Sequence, residues 1–202
     1  MTDTASFGLS AHSVIVTGGA SGIGATIAEG LLASGARVAV WGRDPEKLRD
    51  FSGHVAGRYS ADPITHVVDV TDAASVDSGL AATLGAFGHV NGLVNGAGTM
   101  NVGDSFEFDE TEFRAIVDVH VMGAFLCSQR VARSMRDTGG GNILNLGSMA
   151  TFVGQPRRAA YSAAKSAVAG ITRTLAVEWG EHGIRVNAIA PGYIATGMAM
   201  EN

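Results

Sequence analysis

Short apolar runs alternate with helical patterns along this chain, and this alternation constrains the fold more than any other feature. The runs rich in branched apolar residues occupy positions 14–17, 36–41, 64–68, 90–95, 142–146 and 184–189. Between the first two, Ile23, Ile27 and Leu31 recur at helical spacing. Strands that alternate with helices predict a parallel sheet with helices on both faces. We therefore expect an α/β fold with a doubly wound sheet in three layers.

The length and composition predict one domain without a nucleic-acid surface. The chain has 202 residues, of which 46% are apolar, enough to build one sizeable core. Since no linker, repeat or low-complexity stretch divides it, we expect a single domain over residues 1–202. The net charge of −5 leaves no basic field that could bind a phosphate backbone.

Cysteine, histidine and hydropathy patterns argue against disulfides, metals and membranes. Cys127 is the single cysteine and lies in an apolar run, so we expect it to fill the core. The six histidines show no spacing typical of metal ligands, and we expect no metal. Neither a signal-peptide pattern nor an uninterrupted run of about 18 apolar residues is found. We expect a cytoplasmic protein without a membrane partner.

A glycine-rich loop joins the first predicted strand to the first predicted helix. Gly18, Gly22 and Gly24 in this loop allow a tight turn and a close approach of backbone to a pyrophosphate, whose charge the helix N-terminus stabilises. The order of strand, loop and helix predicts a Rossmann-type dinucleotide site that includes Ser21 and Ile23.

Tyr161, Lys165 and Ser148 form a candidate catalytic group. Tyr161 and Lys165 are four residues apart in a helical pattern, which puts them on one face. A nearby ammonium favours a phenolate, so Tyr161 can act as a general acid or base. Ser148 follows the fifth strand, at the sheet edge where such folds bind ligands. Singly, these residues are typical of a solvated pair and a turn; together, after a dinucleotide loop, they predict a catalytic site.

These motifs, in this order, resemble the short-chain dehydrogenase/reductase family. The resemblance covers Thr17-Gly18-x-x-x-Gly22-x-Gly24, the Asn95–Gly98 segment with Gly96 in place of a second Asn, and the Ser, Tyr and Lys spacing. It implies an NAD(P)-dependent oxidoreductase that transfers hydride between nicotinamide and a carbonyl or secondary alcohol. Tyr161 is then the general acid or base, and Lys165 also holds the nicotinamide ribose.

The resemblance also implies further cofactor contacts. Those contacts involve the pair Asp69 and Val70 near the adenine, then Asn95, Ala97 and Gly98, and near the nicotinamide Pro191, Gly192, Ile194 and Thr196. His120 stands where most members carry an Asn that helps to hold a proton-relay water. A neutral imidazole both donates and accepts a hydrogen bond, so His120 can take that role and add a titration near neutral pH. A packed, uninvolved histidine is the alternative.

The end of the second strand predicts the cofactor preference. An acidic residue there binds the ribose 2′-hydroxyl of NAD, whereas an arginine accommodates the 2′-phosphate of NADP. The resemblance puts Gly42 at the Asp position of NAD-preferring members, and Arg43 follows it. Asp44, directly before Pro45, is better explained as a helix N-cap. NADP is therefore favoured over NAD.

The substrate is expected to be a small carbonyl or alcohol compound, but its class stays open. The candidate wall residues are the segment 149–155 with Met100, Tyr193 and Ile194. Arg157 and Arg158 can attract an anionic substrate, and a solvated pair is the alternative. A sugar, polyol, sugar acid, acyl ketone or ring ketone all remain open.

Two long segments predict an oligomer. Segments 111–136 and 159–180 carry small or apolar residues on more than one face, and Ala163, Ala167 and Gly170 form a second stripe on the latter. A helix apolar on two sides needs two partners, so we expect a homodimer or homotetramer. The alternative is that these small residues face water.

Two other functions and one question of length stay open. A noncatalytic dinucleotide-binding or sensing module is the main rival, and a nucleotide-sugar epimerase or dehydratase is less favoured without a second substrate domain. The family usually continues past Pro191-Gly192 with a covering helix and a seventh strand. We therefore expect the domain to be incomplete at its C-terminus.

Overall fold

The computed structural model describes residues 8–195 and contains one parallel sheet of six strands. The strands are β1 (Ser13–Thr17), β2 (Arg37–Gly42), β3 (Ile64–Val67), β4 (Gly92–Asn95), β5 (Gly141–Leu146) and β6 (Ile184–Ile189). Their order across the sheet is β3-β2-β1-β4-β5-β6, and every pair is parallel. The predicted doubly wound α/β fold is confirmed.

Helices connect the strands, and three of those described begin at a capping aspartate. They are α1 (Gly22–Ala33), α2 (Pro45–Val55), α3 (Ala73–Phe87), α4 (Glu110–Val117), α5 (Gly123–Asp137) and α6 (Ala159–Trp179). Asp44 caps α2 by accepting hydrogen bonds from the N–H groups of Glu46 and Lys47, with Pro45 at the first helical position. The N-cap prediction for Asp44 is confirmed.

The core has two layers, one on each face of the sheet. Alternate residues of β2 separate into these layers, with Trp41 on one face and Val40 on the other. Trp41 is fully buried and donates its indole N–H to Thr83 Oγ1 at 3.2 Å. Cys127 packs in the same layer as Trp41, and burial raises its pKa to about 12. It fills the core as predicted.

One helical region differs from the expected continuous α-helix. Between α4 and α5, residues Asp118–Met122 form a π-helical turn, which contains His120. Such wider turns are rare and often lie at functional sites. By length and composition the whole segment Glu110–Asp137 could cross a membrane, but 44% of its most apolar window is buried inside the domain. A core helix of a globular protein has the same property.

The sheet topology determines where the site lies. The chain moves outward from β1 to β3 on one side and from β4 to β6 on the other, so strand order reverses between β1 and β4. Thr17 and Asn95 end these strands side by side, and Asn145 on β5 lies next to Asn95. Ligands of open α/β sheets bind in the crevice at this reversal point.

Candidate active site and cofactor cradle

The loop after β1 brings backbone against backbone. Gly18 has a φ of +65°, and a Cβ atom there would lie 2.8 Å from the carbonyl oxygen of Gly96. A Cβ on Gly24 would collide with the carbonyl oxygen of Gly18. Only glycine fits both positions, since each side chain would overlap main-chain atoms that cannot move aside.

The N-terminus of α1 is free to receive an anion. Ser21 precedes the helix in an extended conformation, and within the described residues its side chain makes no capping hydrogen bond. No acidic side chain lies in the first turn of this helix, whose residues are all described. The unpaired N–H groups of that turn and the helix dipole therefore favour a phosphate. Together with the glycine cradle, this end of the sheet fits a dinucleotide pyrophosphate.

Thr17 joins the two loops that border the cradle. Its Oγ1 accepts hydrogen bonds from the N–H groups of Gly96 and Ala97, both at 3.1 Å. The segment after β4 is thereby held against the end of β1. Sequence reasoning treated Thr17 only as part of the glycine motif; a polar residue ending a fully buried strand was the available signal.

Arg43 and Asp69 lie at the β2 and β3 ends of the cradle. The guanidinium of Arg43 is 4.0 Å from Asp69 and its side chain is 63% exposed. Partial burial of Asp69 tends to raise its pKa, but hydrogen bonds from Thr71 N–H and Oγ1, with the charge of Arg43, lower it overall. Asp44 is engaged at the N-terminus of α2. Arg43, predicted near the 2′-phosphate, therefore lies beside Asp69, which was predicted near the adenine.

Lys165 and Tyr161 lie on the same face of α6. Lys165 is 6% exposed, and its Nζ donates to the carbonyl oxygen of Leu146 at 2.5 Å. The same Nζ is 5.6 Å from the centroid of the half-buried Tyr161 ring. Burial lowers the pKa of Lys165 to about 8. An ammonium group is thus held beneath the phenol by the end of β5.

Hydrogen bonds connect the turn that contains Ser148 to two neighbouring segments of the site. Ser148 Oγ accepts a hydrogen bond from the Ala150 N–H at 3.1 Å, and Thr151 Oγ1 donates to the carbonyl oxygen of Lys165 at 3.3 Å. The N–H of Met149 donates to the carbonyl oxygen of Pro191 at 3.1 Å. The structure therefore joins the Ser148 turn to α6 and to the segment after β6.

His120 is buried against Tyr161 and the loop after β4. Its ring lies edge-on to Tyr161 with centroids 5.4 Å apart, and its Nε2 is 2.7 Å from the carbonyl oxygen of Thr99. Burial, with the charge of Lys165, lowers the His120 pKa to about 4, although Thr99 acts in the opposite direction. The expected titration near neutral pH is therefore wrong, because a buried imidazole beside an ammonium group stays neutral. A Cβ on Gly98 would lie 2.5 Å from His120 Cε1, so Gly98 leaves room for the ring.

A buried polar network that the sequence did not predict lies beneath the candidate catalytic residues. Asn95 Nδ2 donates to Asn145 Oδ1 and to Ser128 Oγ, both at 2.8 Å, and Asn145 Nδ2 donates to Thr172 Oγ1 at 2.9 Å. The network crosses from α5 through β4 and β5 to α6. Asn95 Oδ1 is buried without a partner among the described residues. Two asparagines inside apolar strands were the signal that could have revealed it.

The remaining predicted cofactor residues differ in their burial. Val70 is buried and, with His120 and Lys165, lines a small internal cavity. Gly192 lies against Met149, whereas Ile194 is 45% exposed. Thr196 lies outside the described residues. Within residues 8–195, no group of three or more His, Cys, Asp or Glu side chains could hold a metal.

Comparison with known proteins decides the family. A sequence model of the short chain dehydrogenases matches residues 12–202. This chain belongs to the short-chain dehydrogenase/reductase family. Members bind NAD(P), and this short-chain dehydrogenase is an oxidoreductase of alcohol or carbonyl compounds.

Its relatives agree in sequence and in structure. It is 42% identical over 96% of its length to a galactitol 2-dehydrogenase (L-tagatose-forming) of Cereibacter sphaeroides, covering 76% of that protein. It is 38% identical over 95% of its length to a gluconate 5-dehydrogenase of Gluconobacter oxydans, covering 75% of it. A crystal structure of a short-chain type dehydrogenase/reductase from Mycobacterium marinum matches with a TM-score of 0.91 and 34% identity, covering 95% of this chain and 76% of that one.

Proposed function

We propose that this short-chain dehydrogenase prefers NADP and interconverts a secondary alcohol and a carbonyl compound, with Tyr161 as the general acid or base. The observation that carries the proposal is the buried Lys165 ammonium 5.6 Å from the Tyr161 ring. When bound, the nicotinamide accepts or supplies the hydride. The side chains of the protein position the substrate and transfer its proton.

Tyr161 transfers the proton at the substrate oxygen. In reduction its hydroxyl protonates the carbonyl oxygen, and in oxidation the phenolate takes the alcohol proton. The Lys165 ammonium, 5.6 Å from the Tyr161 ring, attracts the negative charge that develops on the reacting oxygens during the transfer. The hydrogen bond to the Leu146 carbonyl holds the ammonium in place.

Ser148 binds the same substrate oxygen. The Ala150 N–H already donates to Ser148 Oγ, so the hydroxyl proton remains available for the substrate. This donor stabilises the negative charge that develops on the oxygen during reduction.

His120 is the proposed fourth member, acting as a positioning residue. His120 Nε2 lies 2.7 Å from the carbonyl oxygen and 3.2 Å from the N–H nitrogen of Thr99, so the Thr99 backbone holds the neutral ring in either tautomer. The His120 ring packs edge-on against Tyr161. His120 and Lys165 also line the small cavity, in which a water can relay protons.

The cofactor site that we propose follows the edge of the sheet. Its members are Gly18, Ser21, Gly22, Ile23, Gly24, Arg43, Asp69, Val70, Asn95, Ala97, Gly98, Tyr161, Lys165, Pro191, Gly192, Ile194 and Thr196. Support comes from the glycine cradle, the uncapped start of α1 and the Arg43 side chain at the β2 end.

Replacing Tyr161 by phenylalanine tests the mechanism. Turnover of an alcohol and carbonyl panel, followed by NAD(P)H absorbance, should disappear while cofactor affinity from fluorescence titration stays within a few-fold. Substantial residual turnover would remove Tyr161 from the mechanism. Cofactor binding by the wild type without turnover across the panel would instead support a sensing module.

Arg43 supports the preference for NADP. Its exposed guanidinium is free to bind a 2′-phosphate, and its one carboxylate neighbour among the described residues is Asp69 at 4.0 Å. Arg43→Ala should lower kcat/KM for NADP by about 10-fold or more, because a charge-assisted hydrogen bond is lost, and leave that for NAD nearly unchanged. Equal or better efficiency of the wild type with NAD would refute the preference.

We further propose that the protein forms a homodimer or homotetramer in the cytoplasm. Ala163 and Ala167 are exposed on α6, and Val177 on the same helix is 83% exposed. These small residues allow the same helix of a second subunit to approach closely. Sedimentation velocity tests this: a monomer at micromolar concentration would contradict it.

A further inference from the structure

Arg158 begins the helix that carries Tyr161. Its carbonyl oxygen accepts the Ser162 N–H at 2.9 Å, and its side chain precedes Tyr161 by three positions, about one helical turn. Arg158 and Tyr161 therefore start from neighbouring points at the same end of α6.

Two neutral contacts hold the guanidinium of Arg158. Nη1 donates to Gln155 Oε1 at 3.1 Å, and the guanidinium carbon lies 5.7 Å from the centroid of the Tyr193 ring. Tyr193 is two residues after Pro191, whose carbonyl is bound to the turn containing Ser148. The guanidinium of Arg158 thus contacts the segment that is hydrogen-bonded to the Ser148 turn, while its backbone begins the helix of Tyr161.

This cation has no counter-ion in the described part of the chain. Arg158 is half-buried, yet neither it nor Arg157 pairs with a carboxylate among residues 8–195. Partial burial of an unpaired charge is unfavourable. A Gln oxygen and an aromatic face orient the guanidinium while leaving its full charge available.

Helix stability does not explain two arginines at this position. A helix N-terminus favours carboxylates, and α6 has none in its first turn. Arg157 also adopts a left-handed φ of +63°, held by the Gly103 N–H that donates to its carbonyl oxygen at 3.0 Å. A residue held against local preference is typical of functional sites.

We propose that Arg158 binds a carboxylate of the substrate, so that the enzyme acts on hydroxy acids and keto acids in preference to neutral alcohols. This inference rests on the proposed function. The planar guanidinium binds a carboxylate through paired hydrogen bonds, which orients the carbon chain and presents its carbinol carbon to Tyr161 and Ser148. The Tyr193 ring contact fixes the guanidinium before the substrate arrives.

Matched substrates test the inference. Gluconate and further hydroxy acids are each compared with their neutral amide, using wild type, Arg158→Gln and Arg158→Lys with NADP and NAD. In Arg158→Gln, kcat/KM should fall by about 10- to 100-fold for the acids and less than about 3-fold for the amides, since one charge-assisted contact is lost. Arg158→Lys should recover only part of the loss, because lysine lacks the paired donors.

Arg173→Gln is the matched control. Arg173 is exposed on the same helix and forms no ion pair among the described residues, so its replacement removes one charge without touching the site. Thermal melts verify that all variants are folded. An equal fall for acids and amides, or no acid preference in the wild type, overturns the role of Arg158. If the wild type turns over neither acids, amides nor simple alcohols, the proposed function itself fails.

Discussion

Lys165 holds a positive charge inside the protein, and its removal should stabilise the fold while abolishing activity. The side chain is 6% exposed, and burial lowers its pKa from 10.5 to about 8. Lys165→Met keeps most of the length of the side chain and removes both the charge and the hydrogen bond to Leu146. We expect a variant that is inactive and, at pH 7, more stable than the wild type.

The sign follows from proton binding. The unfolded chain binds this proton more tightly than the folded protein, so the stability cost of Lys165 is complete below pH 8 and disappears as the pH rises towards 10.5. A pKa lowering of this size corresponds to a cost of about 3 kcal/mol at pH 7. Loss of the hydrogen bond to Leu146 costs the variant about 1 kcal/mol. The variant should therefore be more stable than the wild type by about 2 kcal/mol at pH 7 and by less than about 1 kcal/mol at pH 9.5.

Urea unfolding of both proteins at pH 7 and pH 9.5, without cofactor, measures this difference. Ionisable groups distant from Lys165 are common to both proteins and cancel in the comparison. Lys47→Met is the control, because Lys47 is exposed on α2 and its replacement should give a difference that does not change with pH. A difference between the wild type and Lys165→Met that stays constant over the same range would refute the reasoning.

Three further predictions concern the cradle, His120 and the buried network. Gly18→Ala should weaken cofactor binding at least 10-fold and destabilise the protein by about 2 kcal/mol, because alanine would have to adopt a positive φ and its Cβ would overlap main-chain atoms. Gly30→Ala is the control: a Cβ there meets nothing within 4 Å, so neither cofactor affinity nor stability should fall. His120→Asn should leave the pH–rate profile between pH 6 and 8 unchanged, and an altered profile there would contradict this. As the pH falls from 6.5 to 4, the wild type should lose stability relative to the variant, because the unfolded chain takes up a proton at His120 that the folded protein, with a pKa of about 4, does not. Asn145→Leu should lower the free energy of unfolding by about 2 kcal/mol, since it removes two buried hydrogen bonds, one with Asn95 and one with Thr172. An unchanged urea midpoint would argue against the network.

Local features of the chain were predictable because they depend on neighbouring residues. The strands could be located from runs of branched apolar residues, and β1 was expected at 14–17 and lies at Ser13–Thr17. Asp44 before Pro45 was recognisable as a cap because the carboxylate needs only the next helical turn. The spacing of Tyr161 and Lys165 likewise implied a shared helical face. The family resemblance then connected these features to an oxidoreductase.

Other properties depend on groups that are distant in the sequence. His120 is neutral because packing against Thr99, Tyr161 and Lys165 removes it from water, and no local pattern encodes that burial. The π-helical turn that contains it was equally hidden, since an apolar repeat does not reveal one wider turn.

The sequence by itself determined the order of strands and helices, the glycine cradle and the residue types available for proton transfer, because these follow from local periodicity and side-chain chemistry. Only the tertiary structure decided which charges are buried, which are paired and which remain free. Lys165 is buried beneath Tyr161, whereas Arg158 lies against Tyr193 without a carboxylate among the described residues. The physical reason is that desolvation and ion pairing depend on three-dimensional distance, which the folded sheet and helices alone establish.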